Sequence, residues 1–115
     1  MSKLQWKGFT LLAPVPAALV SCGTLEKPNA LTIAWTGITC SDPPMTYISV
    51  RPERYSYDII KESGEFVINL TSGAMARATD FCGVRSGREM DKLAATGLTV
   101  EPAKEIAAPV IAQSP

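Results

Sequence analysis

The sequence predicts a mainly β fold with short helices, an α+β chain forming one domain over residues 1–115. Three observations carry this. Apolar runs of four to eight residues, rich in Val, Ile, Leu and Tyr, recur between Gly, Pro, Asp and Ser clusters, which is strand punctuation. Helix-period stretches are short and end at glycines. The 115 residues are 46% hydrophobic and 19% charged, enough apolar material for one core and too little polarity for disorder.

Taken in order, Val15 to Cys22 is predicted as the first strand, beginning within Pro14-Val15-Pro16, and Gly23 to Pro28 as a polar turn. Leu31 to Trp35 is the second strand. Ile38 to Cys40 is expected to continue it past Gly37, a bulge or close-approach point. Ser41-Asp42-Pro43-Pro44 is a turn, because the prolines fix φ and Asp caps its own backbone. Met45 to Val50 alternates as a strand with one face on the core and the other near a ligand.

Tyr55 to Ser63 is predicted as a short helix with Ile59 and Ile60 inward and Gly64 as its stop, and Glu65 to Leu70 as the next strand. Gly73 to Phe81 and Ser86 to Thr96 follow as helices. The second has Ser86 as a cap, Met90 and Leu93 inward and Gly97 as its stop. The tail from Glu101 to Pro115 holds one strand-forming triplet, Val110-Ile111-Ala112.

Composition narrows the function. Eleven basic and eleven acidic residues leave no net charge, so a nucleic-acid footprint is not expected and any basic site must be local. Histidine is absent, which removes Ser-His and Cys-His nucleophiles and His-based zinc sites and points toward chemistry borne by a cofactor. Cys22, Cys40 and Cys82 are too far apart for a CxxC motif, and an odd count suits a reducing compartment.

Lys3 and Lys7 before an apolar run, with Leu19-Val20-Ser21-Cys22 beyond, imitate an export signal with a lipoprotein box, but Pro14 and Pro16 break the helix such a signal needs. No apolar stretch reaches the ~20 residues that span a bilayer. The expected location is cytoplasmic, with no membrane partner. Asn69-Leu70-Thr71 matches a glycosylation acceptor and is read as strand and turn.

The segment Ser49-Val50-Arg51-Pro52-Glu53-Arg54-Tyr55-Ser56-Tyr57 carries the chemistry. It brings two arginines and hydroxyls to the start of a predicted helix, where unpaired N–H groups and the positive dipole end favour an anion such as phosphate. A planar guanidinium suits phosphate because it can donate two parallel hydrogen bonds.

Together with Asn29-Ala30-Leu31-Thr32-Ile33-Ala34-Trp35 and the Pro43-Pro44 turn, that segment resembles the flavin reductase-like family of FMN-binding split barrels, in its flavoredoxin-type branch. The resemblance implies a split β-barrel that binds FMN. The flavin ring would lie along the backbone of Ala30, Leu31, Thr32, Ile33 and Ala34, with Asn29 and Thr32 orienting ribityl and ring edges. Ser49, Val50, Arg51, Arg54, Tyr55 and Ser56 would surround the phosphate end. Cys82 and Gly83 would form a wall near the flavin, and Lys92 would reach the phosphate across the site or else lie on a helix surface.

The same resemblance implies an FMN-dependent oxidoreductase taking hydride from NADH or NADPH and passing electrons to a protein or small-molecule acceptor. An electron carrier without a nicotinamide site is the alternative, and an inactive fragment a third. Family domains continue beyond the segment matching Ala108 to Pro115. The barrel is therefore expected to be incomplete at its C-terminus, with open strand edges and a homodimer as the functional state.

Overall fold

The computed structural model describes all 115 residues. The strands are β1 (Ala18–Gly23), β2 (Pro28–Ile33), β3 (Thr36–Ser41), β4 (Pro44–Ile48), β5 (Val67–Leu70), β6 (Val100–Glu101) and β7 (Val110–Ile111). The helices are α1 (Tyr55–Ser63), α2 (Ala76–Val84), preceded by a 3-10 turn over Gly73–Met75, and α3 (Lys92–Thr96).

The central sheet is antiparallel, ordered β2-β1-β5, so β1 is paired on both edges. Its Ala18, Leu19, Val20, Ser21 and Cys22 are all buried, because both faces of the sheet are covered as well. The export-like Leu19-Val20-Ser21-Cys22 box is thus the innermost strand of the fold. β1 starts at Ala18, later than the predicted Val15, since prolines 14 and 16 cannot donate to a ladder.

Alternation along the strands sorts side chains into two clusters. Ala18, Val20, Leu31 and Ile33 face one way, packed with Ile48, Val50, Ile60 and Phe66. Leu19 and Ala30 face the other way, against Met75, Cys82, Leu93, Leu98 and Ile111. The first face is covered by α1 and the second by α2, α3 and β7.

The second strand does not run on past Gly37. The chain reverses at Ala34-Trp35, and Thr36–Ser41 forms a separate hairpin with Pro44–Ile48. The bulge falls between Ile38 and Cys40, leaving Thr39 unpaired, while Gly37 is a close approach where a Cβ would sit 2.9 Å from Tyr47 Cε1. β4 does not bury one face either: Pro44 to Tyr47 are exposed, because the hairpin projects from the body.

α1 matches its expected span and ends at Gly64 with φ 69°, a left-handed stop. The helix expected over Ser86 to Thr96 is helical only in its last five residues. Its cap is Asp91, whose Oδ1 accepts from the Ala94 amide at 3.1 Å, and Ser86 instead accepts from the Arg88 amide in a turn. Met90, expected inward, is exposed, whereas Leu93 is buried. The short β6 strand, which pairs with β7, carries no pattern long enough to be read in sequence.

A buried polar clamp docks the tail. Asn69 Nδ2 donates to Leu19 O and to Ser21 Oγ, both at 2.9 Å, and Asn69 Oδ1 accepts from the Ile111 amide at 2.9 Å. Ser21 Oγ donates to Pro109 O. Asn69 is 4% exposed, which rules out its acting as a glycan acceptor in the folded chain. Removing it strands several buried groups at once. Asn69→Ala is expected to cost about 2–4 kcal/mol in urea unfolding, and a loss under 1 kcal/mol would show that the clamp contributes little.

Candidate functional site

The site lies where the coverings of the two sheet faces meet, over the outer edge of β2. β2 is an edge strand, so one side of its main chain has no ladder partner. From one face comes the Arg51–Ser56 approach to α1, and from the other the end of α2 with residues 85–92.

The approach to α1 is a tight turn. The Arg54 amide donates to Arg51 O and the Tyr57 amide to Arg54 O, each at 3.0 Å. The capping residue Arg54 has extended φ/ψ and makes no side-chain cap, and the amides of Tyr55 and Ser56 make no hydrogen bond within the chain. Free amides at the positive end of a nine-residue helix are anion donors. Ser56 is buried, and its Oγ accepts from Asn29 Nδ2 at 2.7 Å, which ties the helix start to β2. The same amide reaches Cys22 Sγ at 3.7 Å.

Lys92 is the first residue of α3, set in place by the Asp91 cap and buried at 5% exposure. Its Nζ donates to Cys82 O at 3.2 Å, its one hydrogen bond in the chain. Burial lowers its pKa from the ordinary 10.5, partly offset by the Cys82 and Cys22 thiols, and Arg54 lowers it further. Burial likewise raises the pKa of both Cys22 and Cys82 from 9.0, opposed at Cys22 by hydrogen bonds with Asn29 and Ser56 and then by the Lys92 charge, and at Cys82 by the Lys92 charge.

These groups open onto a cavity of about 280 Å³. Among its lining residues are the cations Arg51, Arg54, Arg85, Arg88 and Lys92, against the carboxylates Glu53 and Glu89. Arg51 Nη2 pairs with Glu53 Oε1 at 2.6 Å, with both side chains largely exposed, so this pair adds little stability. In a neutral chain the excess of positive charge here is local, and the cavity suits a phosphate.

The structure brings together Leu31, Thr32, Arg51, Arg54, Tyr55, Ser56, Cys82 and Lys92 around this cavity. Other candidate residues lie elsewhere. Ala30 and Ile33 point into the core, and Val50 packs on the α1 face. Ser49 is exposed, its amide donating to Trp35 O at 2.9 Å. Ala34 is half-buried at the chain reversal after β2. Asn29 stands behind the Tyr55 ring, on a neighbouring cavity. Gly83 faces Thr32, where a Cβ would lie 3.4 Å from Thr32 Cβ, at the junction of α2 with β2.

Sequence reasoning missed Arg85, Ser86, Gly87 and Arg88: it read Ser86 to Thr96 as a helix and gave Arg85, just before it, no role. The available signal was a Ser-Gly pair flanked by two arginines, which reads better as a loop than as a helix.

The family model of the flavin reductase-like domain matches residues 11–115. The chain belongs to the flavin reductase-like family. An uncharacterized protein of Pyrococcus abyssi is 30% identical over 108 residues, covering 94% of this chain and 62% of its own length. Flavoredoxin of Desulfovibrio vulgaris (Miyazaki F) superposes with a TM-score of 0.89 at 37% identity, over 97% of this chain and 62% of that one. Flavoredoxin from Methanosarcina acetivorans gives 0.87 at 26% identity, over 99% and 60%. The chain therefore spans about six-tenths of the length of these relatives, and its fold is that part of the FMN-binding split barrel. No helix is long and apolar enough to cross a membrane.

The thiols make a test of the site's geometry. Cys22 and Cys82 are buried, and burial raises the pKa of both thiols and so disfavours the reactive thiolate, whereas Cys40 is half-buried on the projecting hairpin. Iodoacetamide at pH 8, read by peptide mass spectrometry, is expected to label Cys40 first. Equal labelling of Cys82 would contradict its place in the cavity wall.

Proposed function

We propose that this chain binds FMN, with the phosphate in the cationic cavity at the start of α1, and that it serves as an FMN-dependent oxidoreductase. The observation that carries the reading is the pair of uncapped α1 amides ringed by Arg51, Arg54, Arg85, Arg88 and Lys92, on a fold of the FMN-binding type. The residues present fit a phosphomonoester: donors outnumber acceptors, and Lys92 is buried with hydrogen-bonding capacity to spare. Thr32, Leu31 and Cys82 continue the wall toward the free edge of β2, whose main chain can meet polar ring edges.

Bound FMN would supply the hydride and electron chemistry, as cofactors do in enzymes of this kind. The chain's own residues bind and orient. Asn29 holds Ser56 and thereby the helix start. Lys92 in its protonated form meets the phosphate, and the buried thiols stay protonated and unreactive at neutral pH. NADH or NADPH as donor, and a protein or small-molecule acceptor, complete the proposal on the strength of the family likeness.

Fluorescence titration is expected to show FMN binding. Arg51→Ala, removing an exposed guanidinium, is expected to weaken FMN about fivefold and riboflavin hardly at all. Equal losses for both would sink the phosphate assignment, and no quenching of FMN would sink the function.

The proposal extends to a homodimer. The β3–β4 hairpin is a two-stranded sheet with no further ladder neighbour, and such hairpins are marginal alone in water. It exposes Trp35, Ile38, Met45 and Tyr47, Ile38 to 80%, an apolar set that a second copy of the chain would cover. Sedimentation is expected to give a dimer that Ile38→Glu dissociates. A monomeric wild type would count against it.

A further inference from the structure

The segment Arg85–Glu89 forms one wall of the cationic cavity as a strap between it and a neighbouring cavity, and how it is held bears on which phosphate esters can enter. Arg88 Nη1 donates to Glu53 O at 2.8 Å, and its guanidinium carbon stands 5.8 Å from the centre of the Tyr55 ring. Gly87 lies flat against that ring. A Cβ there would overlap the ring and fall 2.5 Å from Asn29 Oδ1, so only glycine lets the strap come this close. Behind the strap is a second cavity of about 420 Å³, lined by Gly23, Thr24, Lys27, Asn29, Ile59 and Asp91 among others. Tyr55 and Gly87 are walls of both cavities, so their contact is the partition between them.

We propose that Gly87 and Arg88 are specificity-determining residues: by latching the strap onto Tyr55 and the Glu53 carbonyl they close the phosphate cavity, admitting a monoester and disfavouring a ligand that continues through its phosphate into a second nucleotide. This rests on the FMN reading and extends it to discrimination against FAD. A monoester ends at the α1 amides and needs no exit. A dinucleotide needs its adenylate half to pass where Gly87 meets Tyr55, or to lie outside in solvent without contacts. Releasing the strap would merge the two cavities into one trough. Because the latch is one hydrogen bond and one stacked cation at the surface, the selectivity it contributes is modest, about five- to tenfold.

The test is the ratio of dissociation constants for FAD and FMN, measured by flavin fluorescence on the full chain and on three variants. Wild type is expected to prefer FMN. Arg88→Ala, which cuts the latch, and Gly87→Ala, which wedges the strap off Tyr55, are expected to lower the FAD-to-FMN ratio about fivefold. Arg85→Ala removes a charge from the same cavity without touching the latch, and is expected to weaken both flavins alike. Unmoved ratios in Arg88→Ala and Gly87→Ala, equal affinity of wild type for the two flavins, or a fall in Arg85→Ala as large as in Arg88→Ala would each overturn the proposal while leaving FMN binding intact. A wild type that binds neither flavin would overturn the FMN reading and this inference with it.

Discussion

Every other part of this fold answers to the burial of β1. A strand with no exposed edge and no exposed face must have its backbone groups met on both sides and its side chains covered above and below, because an unpaired buried amide or carbonyl costs as much as a lost hydrogen bond. β2 and β5 meet the backbone. The even-numbered side chains Ala18 and Val20 call for α1 with Ile48, Val50 and Phe66, and Leu19 calls for α2, α3 and β7. Ser21 and Cys22, the strand's polar positions, are met by the Asn69 clamp on one face and by Asn29 on the other.

The site is a consequence of that layering. Two coverings on opposite faces of one sheet come together beyond the edge strand, and there the start of α1 faces the end of α2 and the strap. Leu31 and Thr32, adjacent in β2 and pointing to opposite faces, both reach the cavity because it straddles the edge. The polar clusters that fasten each covering lie close by. Asn29–Ser56 fixes α1, Thr32 Oγ1 donates to Thr79 O to fix α2, and Lys92 donates to Cys82 O to fix α3 against α2. Cavity-lining groups and fastening groups are interleaved, so the uncapped amides are held in a position that a freestanding helix end would not keep.

Charge follows the same geometry. The chain is neutral overall, yet five cations are gathered around one cavity with two carboxylates. Four of the five sit in loops that flank helix ends, where long side chains can turn inward, and the fifth, Lys92, is carried in on a five-residue helix. Its burial is unfavourable for a charge without a counterion, as the lowered pKa records, and an anion in the cavity would relieve that cost. The α1 amides, with no partner in the chain, add to the same demand.

Local pattern alone determined the elements whose signals are contiguous: the α1 helix with its Gly64 stop, the strand character of residues 18–22 and 31–33, the Asp42-Pro43 turn, and the gathering of Arg51, Arg54 and Ser56 at the start of α1. Period, cap and breaker residues act within a few positions of one another, so they can be read without knowing what they pack against. Tertiary structure decided that Thr36 to Cys40 leaves the second strand for a hairpin, that Ser86 to Met90 is not helical, and that Asn29 serves as a fastener. It also turned Lys92 inward and brought Arg85 and Arg88 to face Arg51 and Arg54 across more than thirty positions. These outcomes depend on which surfaces meet once β1 is enclosed, a matter of long-range packing that no window of the chain contains.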